Sequence, residues 1–170
     1  TVKSSVSGSV FHNSFAGISG SGTDFANINN NSFYDNLLGM SFDGDTNLTI
    51  KNNHFDSNFT GIYLNNVIGS PITGNEMYYT QYGIYANGGR SIVINDNNMY
   101  YVNYGITGVD SIGISINRNY LYGGFGSYEC DCELTFAKYD DGEGEGYGIG
   151  SYGIHVTGGL NSAITRNTVD

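Results

Sequence analysis

Ile28, Ile50, Ile72, Ile94 and Ile116 stand 22 residues apart in a chain of 170 residues. A fixed period of this length constrains the fold more than any other feature, because a coil of stacked units is what returns the same side chain to the same place at every turn. Three residues later, Asn31, Asn53, Asn75, Asn97 and Asn119 keep the same step, and two further on come Phe33, Phe55, Met77, Met99 and Leu121. The pairs Gly17-Ile18, Gly39-Met40, Gly61-Ile62, Gly83-Ile84 and Gly105-Ile106 run in phase. The pattern resumes at Gly153-Ile154, Ile164, Asn167 and Val169. The step from Ile116 to Ile164 is 48 residues. That is two periods plus four residues or, on a wider reading, one rung carrying an insertion between about Gly123 and Gly150.

Within a repeat the apolar positions alternate, as in Leu48-Ile50 and Ile62-Leu64, so the local period is two and the segments are strands. Short runs broken by Asn or Gly suit a coil of two or three sheets whose rungs stack at the usual strand spacing of about 4.8 Å. The expected fold is all-β, a solenoid of about 22 residues per rung with one inserted acidic loop. As a single domain over 1–170 it has regular rungs to 122, an inserted loop over 123–150 and the final rung or rungs over 151–170. Asn31, Asn53, Asn75, Asn97, Asn119 and Asn167 form a structural ladder. Asn suits the turn because it tolerates the left-handed region, and its amide bonds to the Asn above and below.

The repeat Ile-x-x-Asn-x-Phe followed by Gly-Ile resembles the parallel β-helix repeat of pectate lyases, alginate epimerases, phage tailspikes and many surface proteins, and it covers nearly the whole chain outside the insertion. The resemblance implies a right-handed parallel β-helix. It leaves function open, since unrelated activities share the scaffold. Solenoids normally cover their terminal rungs. Nothing before Val6 reads as a capping helix, and Asp170 directly follows a ladder residue. The expectation is a segment of a longer solenoid, or ends covered by neighbouring subunits in an oligomer or filament.

With a net charge of −10 and 6 Lys+Arg, the average field repels nucleic acid. No run is long and apolar enough to insert in a bilayer. The sequence starts at Thr1 with no leader before it, which reads as a mature product, a trimmed chain or an internal fragment, and the expected location is extracellular or the cell surface. A bond between Cys130 and Cys132, in Glu-Cys-Asp-Cys-Glu, would close a small strained ring. Free thiols, bonds to another chain, or half of a metal site remain open.

Two features stand apart from the repeat. The insertion holds Glu129, Asp131, Glu133, Asp140, Asp141, Glu143 and Glu145. No cofactor is required, but Asp140, Asp141, Glu143 and Glu145 are the candidate ligands for Ca²⁺, a cation that takes six to eight oxygens. They match neither an EF-hand nor the Gly-Gly-x-Gly-x-Asp repeat, and a solvated acidic loop is the plainer account. The second feature is 15 Tyr and no Trp. Tyr78, Tyr100 and Tyr122 share one column, with Tyr34 farther down it. Tyr79 and Tyr101 share the next, Tyr82, Tyr104 and Tyr152 another, and Tyr63 and Tyr85 a shorter one. The inward columns are already filled, so some of these rings point outward. There they either form a platform for sugar rings or another protein, or stack on each other and shield the rungs.

Catalytic groups are harder to find. Glycoside hydrolysis needs two carboxylates at a set separation, and elimination needs a base opposite a charge stabiliser. Asp35 and Asp56 lie on successive rungs, Asp43 and Asp45 flank one turn, and His155 follows Gly153-Ile154. Tyr152-Gly-Ile-His resembles the alginate-epimerase motif Tyr-Gly-Phe-Asp-Pro-His but lacks its Asp and Pro, and Tyr-Gly-Ile recurs at Tyr82 and Tyr104 as plain repeat. No catalytic role is carried over. Gly146-Tyr-Gly-Ile-Gly has no βαβ unit around it to make a nucleotide loop. The reading is an extracellular structural or adhesive module binding glycans, or copies of itself, through stacked Tyr. A polysaccharide-acting lyase, hydrolase or epimerase is the alternative, and a tailspike segment the third.

Overall fold

Four residues in every 22 adopt the left-handed region, and these are the corners around which the chain coils. Gly8, Asn30, Asn52, Gly74, Asp96, Arg118 and Arg166 make the first corner, and Asn13, Asp35, Ser57, Tyr79, Tyr101 and Gly123 the second, all at positive φ. Gly22, Gly44, Asn66, Gly88, Asp110 and Gly158 make the third, and Phe25, Asn47, Gly69, Ser91, Gly113 and Asn161 the fourth. Gly and Asn are the residues for which this conformation is cheap. The computed structural model describes residues 3–123 and 152–170.

Between corners run three parallel sheets, and each strand pairs with its copy one rung away. The first sheet has seven three-residue strands, Ser5–Ser7, Asn27–Asn29, Thr49–Lys51, Pro71–Thr73, Val93–Asn95, Ser115–Asn117 and Ala163–Thr165. The second also has seven: Val10–His12, Ser32–Tyr34, His54–Asp56, Glu76–Tyr78, Asn98–Tyr100, Tyr120–Tyr122 and Thr168–Val169. The third has six strands of six residues, Ala16–Ser21, Leu38–Asp43, Thr60–Asn65, Tyr82–Asn87, Tyr104–Val109 and Tyr152–Thr157. This is a parallel β-helix of 22 residues per rung.

A three-residue strand sends its middle side chain inward and the outer two outward. The Ile ladder and the Phe/Met/Leu ladder are therefore the central residues of the first two sheets, and Ile28 to Ile116 are at most 2% exposed. Phe11, Phe33 and Phe55 stack at 5.0 and 4.8 Å with ring planes 11° apart. The third sheet departs from strict alternation, because Gly39 and Met40 are both buried. The glycine supplies no side chain, and the space is taken by the Phe and Met ladder opposite.

The Asn ladder is built differently from the expectation. Asn31, Asn53, Asn75, Asn97, Asn119 and Asn167 are not the left-handed residues; each follows one. The left-handed residue turns the chain, and the next side chain swings inward, where Asn31, Asn53, Asn75, Asn97 and Asn119 are sealed and Asn167 is half-buried. Asn53 Oδ1 accepts from both Asn31 N and Asn31 Nδ2, at 3.0 and 3.1 Å, while Asn53 Nδ2 donates to the Ile28 carbonyl one rung below. Asn97 and Asn119 repeat these bonds. Asn119 then bonds Asn167, 48 residues away, as though it were the next rung. Gly123 N still bonds the Asp170 carbonyl, so the rung is kept as far as the second corner, and the interruption of the repeat falls between Gly123 and Tyr152.

A second, shorter ladder occupies the second corner. Asn36 and Asn58 repeat the same bonds, with Ser14 N donating to Asn36. At the third corner the equivalent position is Asp45, which is fully buried. Its Oδ1 accepts from Thr23 N at 2.6 Å in ladder fashion, but its Oδ2 has no partner. In the Asn ladders this is the place of the amide nitrogen, which donates to backbone carbonyls. Asp45→Asn is therefore expected to raise stability by about 1–3 kcal/mol, since it turns an unpaired buried acceptor into a donor. Thermal unfolding followed by circular dichroism checks this, and an unchanged or lower midpoint would count against the ladder geometry at this corner.

Candidate functional site

The tyrosines gather around the second corner. Tyr78, Tyr100 and Tyr122 are the last residues of second-sheet strands, Tyr79 and Tyr101 are the corner residues themselves, and Tyr82, Tyr104 and Tyr152 open third-sheet strands. Tyr78, Tyr79, Tyr82, Tyr100, Tyr101 and Tyr104, from three neighbouring columns, thus form one outward band. Within it Tyr78 and Tyr100 stack at 4.9 Å and 11°, Tyr79 and Tyr101 at 5.2 Å and 5°, and Tyr82 and Tyr104 at 4.7 Å and 13°. Tyr85 stacks on Tyr63 at 5.6 Å and meets Tyr82 edge-on at 6.3 Å. Tyr122 stands edge-on to Tyr101.

The stacked pairs join rings one rung apart, so those rings face each other along the solenoid axis. Each ring of a stacked pair covers one face of the other, and every ring of the Tyr78–Tyr100, Tyr79–Tyr101 and Tyr82–Tyr104 pairs stays part exposed. A ligand approaching from the side meets hydroxyl groups and ring edges, which favours hydrogen bonding over flat stacking.

Two of these tyrosines sit where the backbone disfavours them. Tyr79 has φ 52° and Tyr101 φ 57°, a region that costs a non-glycine residue roughly 1–2 kcal/mol, with Asn and Asp the usual exceptions. The same corner holds Asn13, Asp35, Ser57 and Gly123 on other rungs. The strain accompanies solvent exposure, since Tyr79 is 48% and Tyr101 38% exposed. Below them the band continues as an apolar stripe one residue past the inward corner position: Phe15, Leu37 and Phe59, 74%, 45% and 52% exposed. Phe59 meets Tyr82 edge-on at 5.7 Å. Their 22-residue step was available as a sequence signal, although the changing residue type concealed it.

Beside the band, the outward face of the second sheet collects mixed polar groups. One column is Ser32, His54, Glu76, Asn98 and Tyr120, and the other is Tyr34, Asp56, Tyr78, Tyr100 and Tyr122. His54 Nδ1 lies 3.9 Å from Glu76 Oε2, and its ring tilts between Tyr34 and Tyr78 at 5.8 and 5.4 Å. Burial, then Glu76, Tyr100 and Asp56, hold the Tyr78 hydroxyl above its ordinary pKa, so it remains a proton donor. At the first corner Arg118 makes a two-pronged bond to Asp96, both arms 2.7 Å. This pair lowers the Asp96 carboxyl and raises Arg118, and it is exposed and of small worth.

The remaining candidates are dispersed. Asp35 is a second-corner residue, Asp43 accepts from Asn65 at 2.7 Å, and His155 pairs with Thr107 on the third sheet. Asp140, Asp141, Glu143 and Glu145, with Cys130 and Cys132, lie outside the described residues. Among the described residues no three His, Cys, Asp or Glu converge on a point where a metal ion would fit, and no helix is long and apolar enough to cross a membrane. No curated protein and no solved structure matches the chain. Residues 2–131 match the family described as Periplasmic copper-binding protein (NosD), and since that match covers most of the chain, the protein belongs to this family.

Proposed function

We propose that this chain is an exported β-helix module, structural or adhesive, that binds a neutral glycan at the tyrosine band of the second corner. The observation that carries the reading is the pair Tyr79 and Tyr101, exposed and held in the left-handed region that Asn13, Asp35, Ser57 and Gly123 occupy on other rungs. Strain of this kind persists where the side chain is wanted at that point. The band adds a row of hydroxyls one rung apart, suited to the hydroxyls of a sugar chain. The periplasmic description of the family supports an exported location.

Copper, in the family's description, finds no matching donor set among the described residues. Copper takes imidazole nitrogen and cysteine or methionine sulfur. Met40, Met77 and Met99 are core residues at most 1% exposed, and His12, His54 and His155 stand on different strands, His155 on a different sheet. The proposed function is therefore not routed through copper.

The test is a glycan array of neutral and acidic polysaccharides, with the wild-type chain beside the double variant Tyr79→Asn/Tyr101→Asn. Because Asn is native to this corner at Asn13, strain relief and lost ring stacking are expected to cancel, leaving stability within about 1 kcal/mol. Binding to neutral glycans is expected to fall at least tenfold. Wild-type protein that binds no neutral glycan, or a double variant that binds unchanged, overturns the reading.

A further inference from the structure

Tyr79 and Tyr101 are placed to react with each other. We propose that they form a covalent modification site, where one-electron oxidation of both phenols by hydrogen peroxide, acting through a haem peroxidase, joins them as dityrosine and ties two consecutive rungs at the second corner. The inference is independent of glycan binding.

Phenols couple where two of them meet, and the rung repeat brings four pairs into parallel stacks among the described residues. Tyr63 with Tyr85, Tyr78 with Tyr100, and Tyr82 with Tyr104 stand at 5.6, 4.9 and 4.7 Å, with ring planes 9°, 11° and 13° apart. All six of these rings are half-buried. Tyr79 and Tyr101 stack at 5.2 Å and 5°, and theirs is the one stack of the four in which both rings are exposed. An exposed phenol can pass its proton to water and tilt toward its neighbour, whereas a ring packed among others is held. The closer Tyr78–Tyr100 stack has a further handicap: burial, then Glu76, Tyr100 and Asp56, hold the Tyr78 hydroxyl above its ordinary pKa, so its proton leaves less readily. Tyr122 is exposed as well, but it meets Tyr101 edge-on at 5.7 Å and 80°. A parallel stack instead sets like carbons of the two rings opposite each other.

The corner itself marks this pair. Tyr stands in its left-handed position on two consecutive rungs, beside Asn13, Asp35, Ser57 and Gly123 on the others. Strain of this kind persists where the side chain is wanted, and here it falls on the two rings that can be joined. Other oxidisable groups offer little competition. The sequence has no Trp, and Met40, Met77 and Met99 are at most 1% exposed.

In the reaction each phenol loses one electron and its hydroxyl proton, giving a phenoxyl radical. The two radicals join through ring carbons beside the hydroxyls, forming one C–C bond. The hydrogen on each of those carbons then moves as a proton to the phenolic oxygen and restores the ring. The two electrons and two protons released reduce one hydrogen peroxide to two waters. The product closes a covalent loop one 22-residue rung long, which restricts the unfolded chain as a disulfide does.

The experiment treats the whole 170-residue chain, with Cys130 and Cys132 alkylated, with a haem peroxidase and limiting hydrogen peroxide. Dityrosine fluorescence and peptide mass spectrometry read the product. The expected product is a single chain lighter by two hydrogen atoms, with Tyr79 joined to Tyr101 and an unfolding midpoint raised by several degrees. Tyr79→Phe and Tyr101→Phe keep the ring and remove the hydroxyl, so each should lower the yield at least tenfold while leaving the midpoint of the unoxidised protein unchanged. Tyr63→Phe and Tyr82→Phe should leave the yield as it is. Absence of dityrosine, a link at Tyr78–Tyr100 or Tyr101–Tyr122 in its place, links only between separate molecules, or a yield that survives Tyr79→Phe overturns the proposal. None of these outcomes bears on glycan binding, which the array reads separately.

Discussion

Asn75→Ala is expected to cost about 3–5 kcal/mol, because it strands several buried groups at once and each typically costs roughly 1–3 kcal/mol when left unpaired. Asn75 Oδ1 accepts from Asn53 N and Asn53 Nδ2, both at 3.0 Å. Its amide nitrogen donates to Asn97 Oδ1 at 2.9 Å and to the carbonyls of Ile50 and Thr73 at 3.2 and 3.3 Å. The residue is fully buried, so water cannot replace these bonds without opening the corner. Asn75→Asp keeps the acceptor and turns the donor into a second acceptor facing carbonyl oxygens, so the loss should be at least as large. That substitution reverses the chemistry of Asp45→Asn, and the two should move stability in opposite directions. Urea unfolding followed by circular dichroism measures both. Rungs touch only their neighbours, so the Asn75 variants should also broaden the transition, with the weakened step separating the rungs on either side. A loss below 1 kcal/mol for Asn75→Ala would mean that the ladder directs the fold without holding it.

The inward ladders were legible in the sequence because each side chain in them meets its own copy one rung away. Self-packing keeps the residue type constant, so Ile28 to Ile116 and Asn31 to Asn119 repeat visibly. The corners were not legible. A left-handed position is defined by backbone conformation, and Gly8, Asn30, Asp96 and Arg118 all serve at one corner. For the same reason the sequence points the left-handed role at the ladder Asn, while the backbone gives it to the residue before. The second ladder was concealed because its column changes from Asn36 and Asn58 to Thr80 and Val102, where Thr80 Oγ1 is left without a partner. At the candidate site the Tyr columns were readable as columns. What was not readable is that rung spacing turns their faces onto one another. The mixed column beside them was invisible for a further reason: Ser32, His54, Glu76, Asn98 and Tyr120 share a position and no chemistry. Outward columns are free to vary, and function has to be sought in them with the least help from periodicity.

Gly83→Ala should be the other severe substitution, and it tests how closely the rungs approach. A methyl group at Gly83 would lie 2.5 Å from the Gly105 carbonyl oxygen and 2.9 Å from Met99 Sδ. The thioether is flexible and can swing aside. The carbonyl belongs to the next rung of the third sheet and retreats only if the rungs part, breaking the pairing of Tyr82–Asn87 with Tyr104–Val109. The expected loss is about 3 kcal/mol, at the upper end of overpacking costs. Gly20→Ala is the informative comparison. It too sits inside the third sheet, but its nearest contacts are the Phe42 ring at 2.7 Å and Thr23 Oγ1 at 3.0 Å, both side chains, so the loss should be about 1 kcal/mol. If sulfur were the obstacle, shortening it with Met99→Ala would rescue Gly83→Ala. If the backbone is the obstacle, as the distances require, the double variant adds a cavity to an unrelieved clash and unfolds earlier than either single one. Equal losses at Gly20 and Gly83, or rescue by Met99→Ala, would show that the rungs have more room than the glycine column implies.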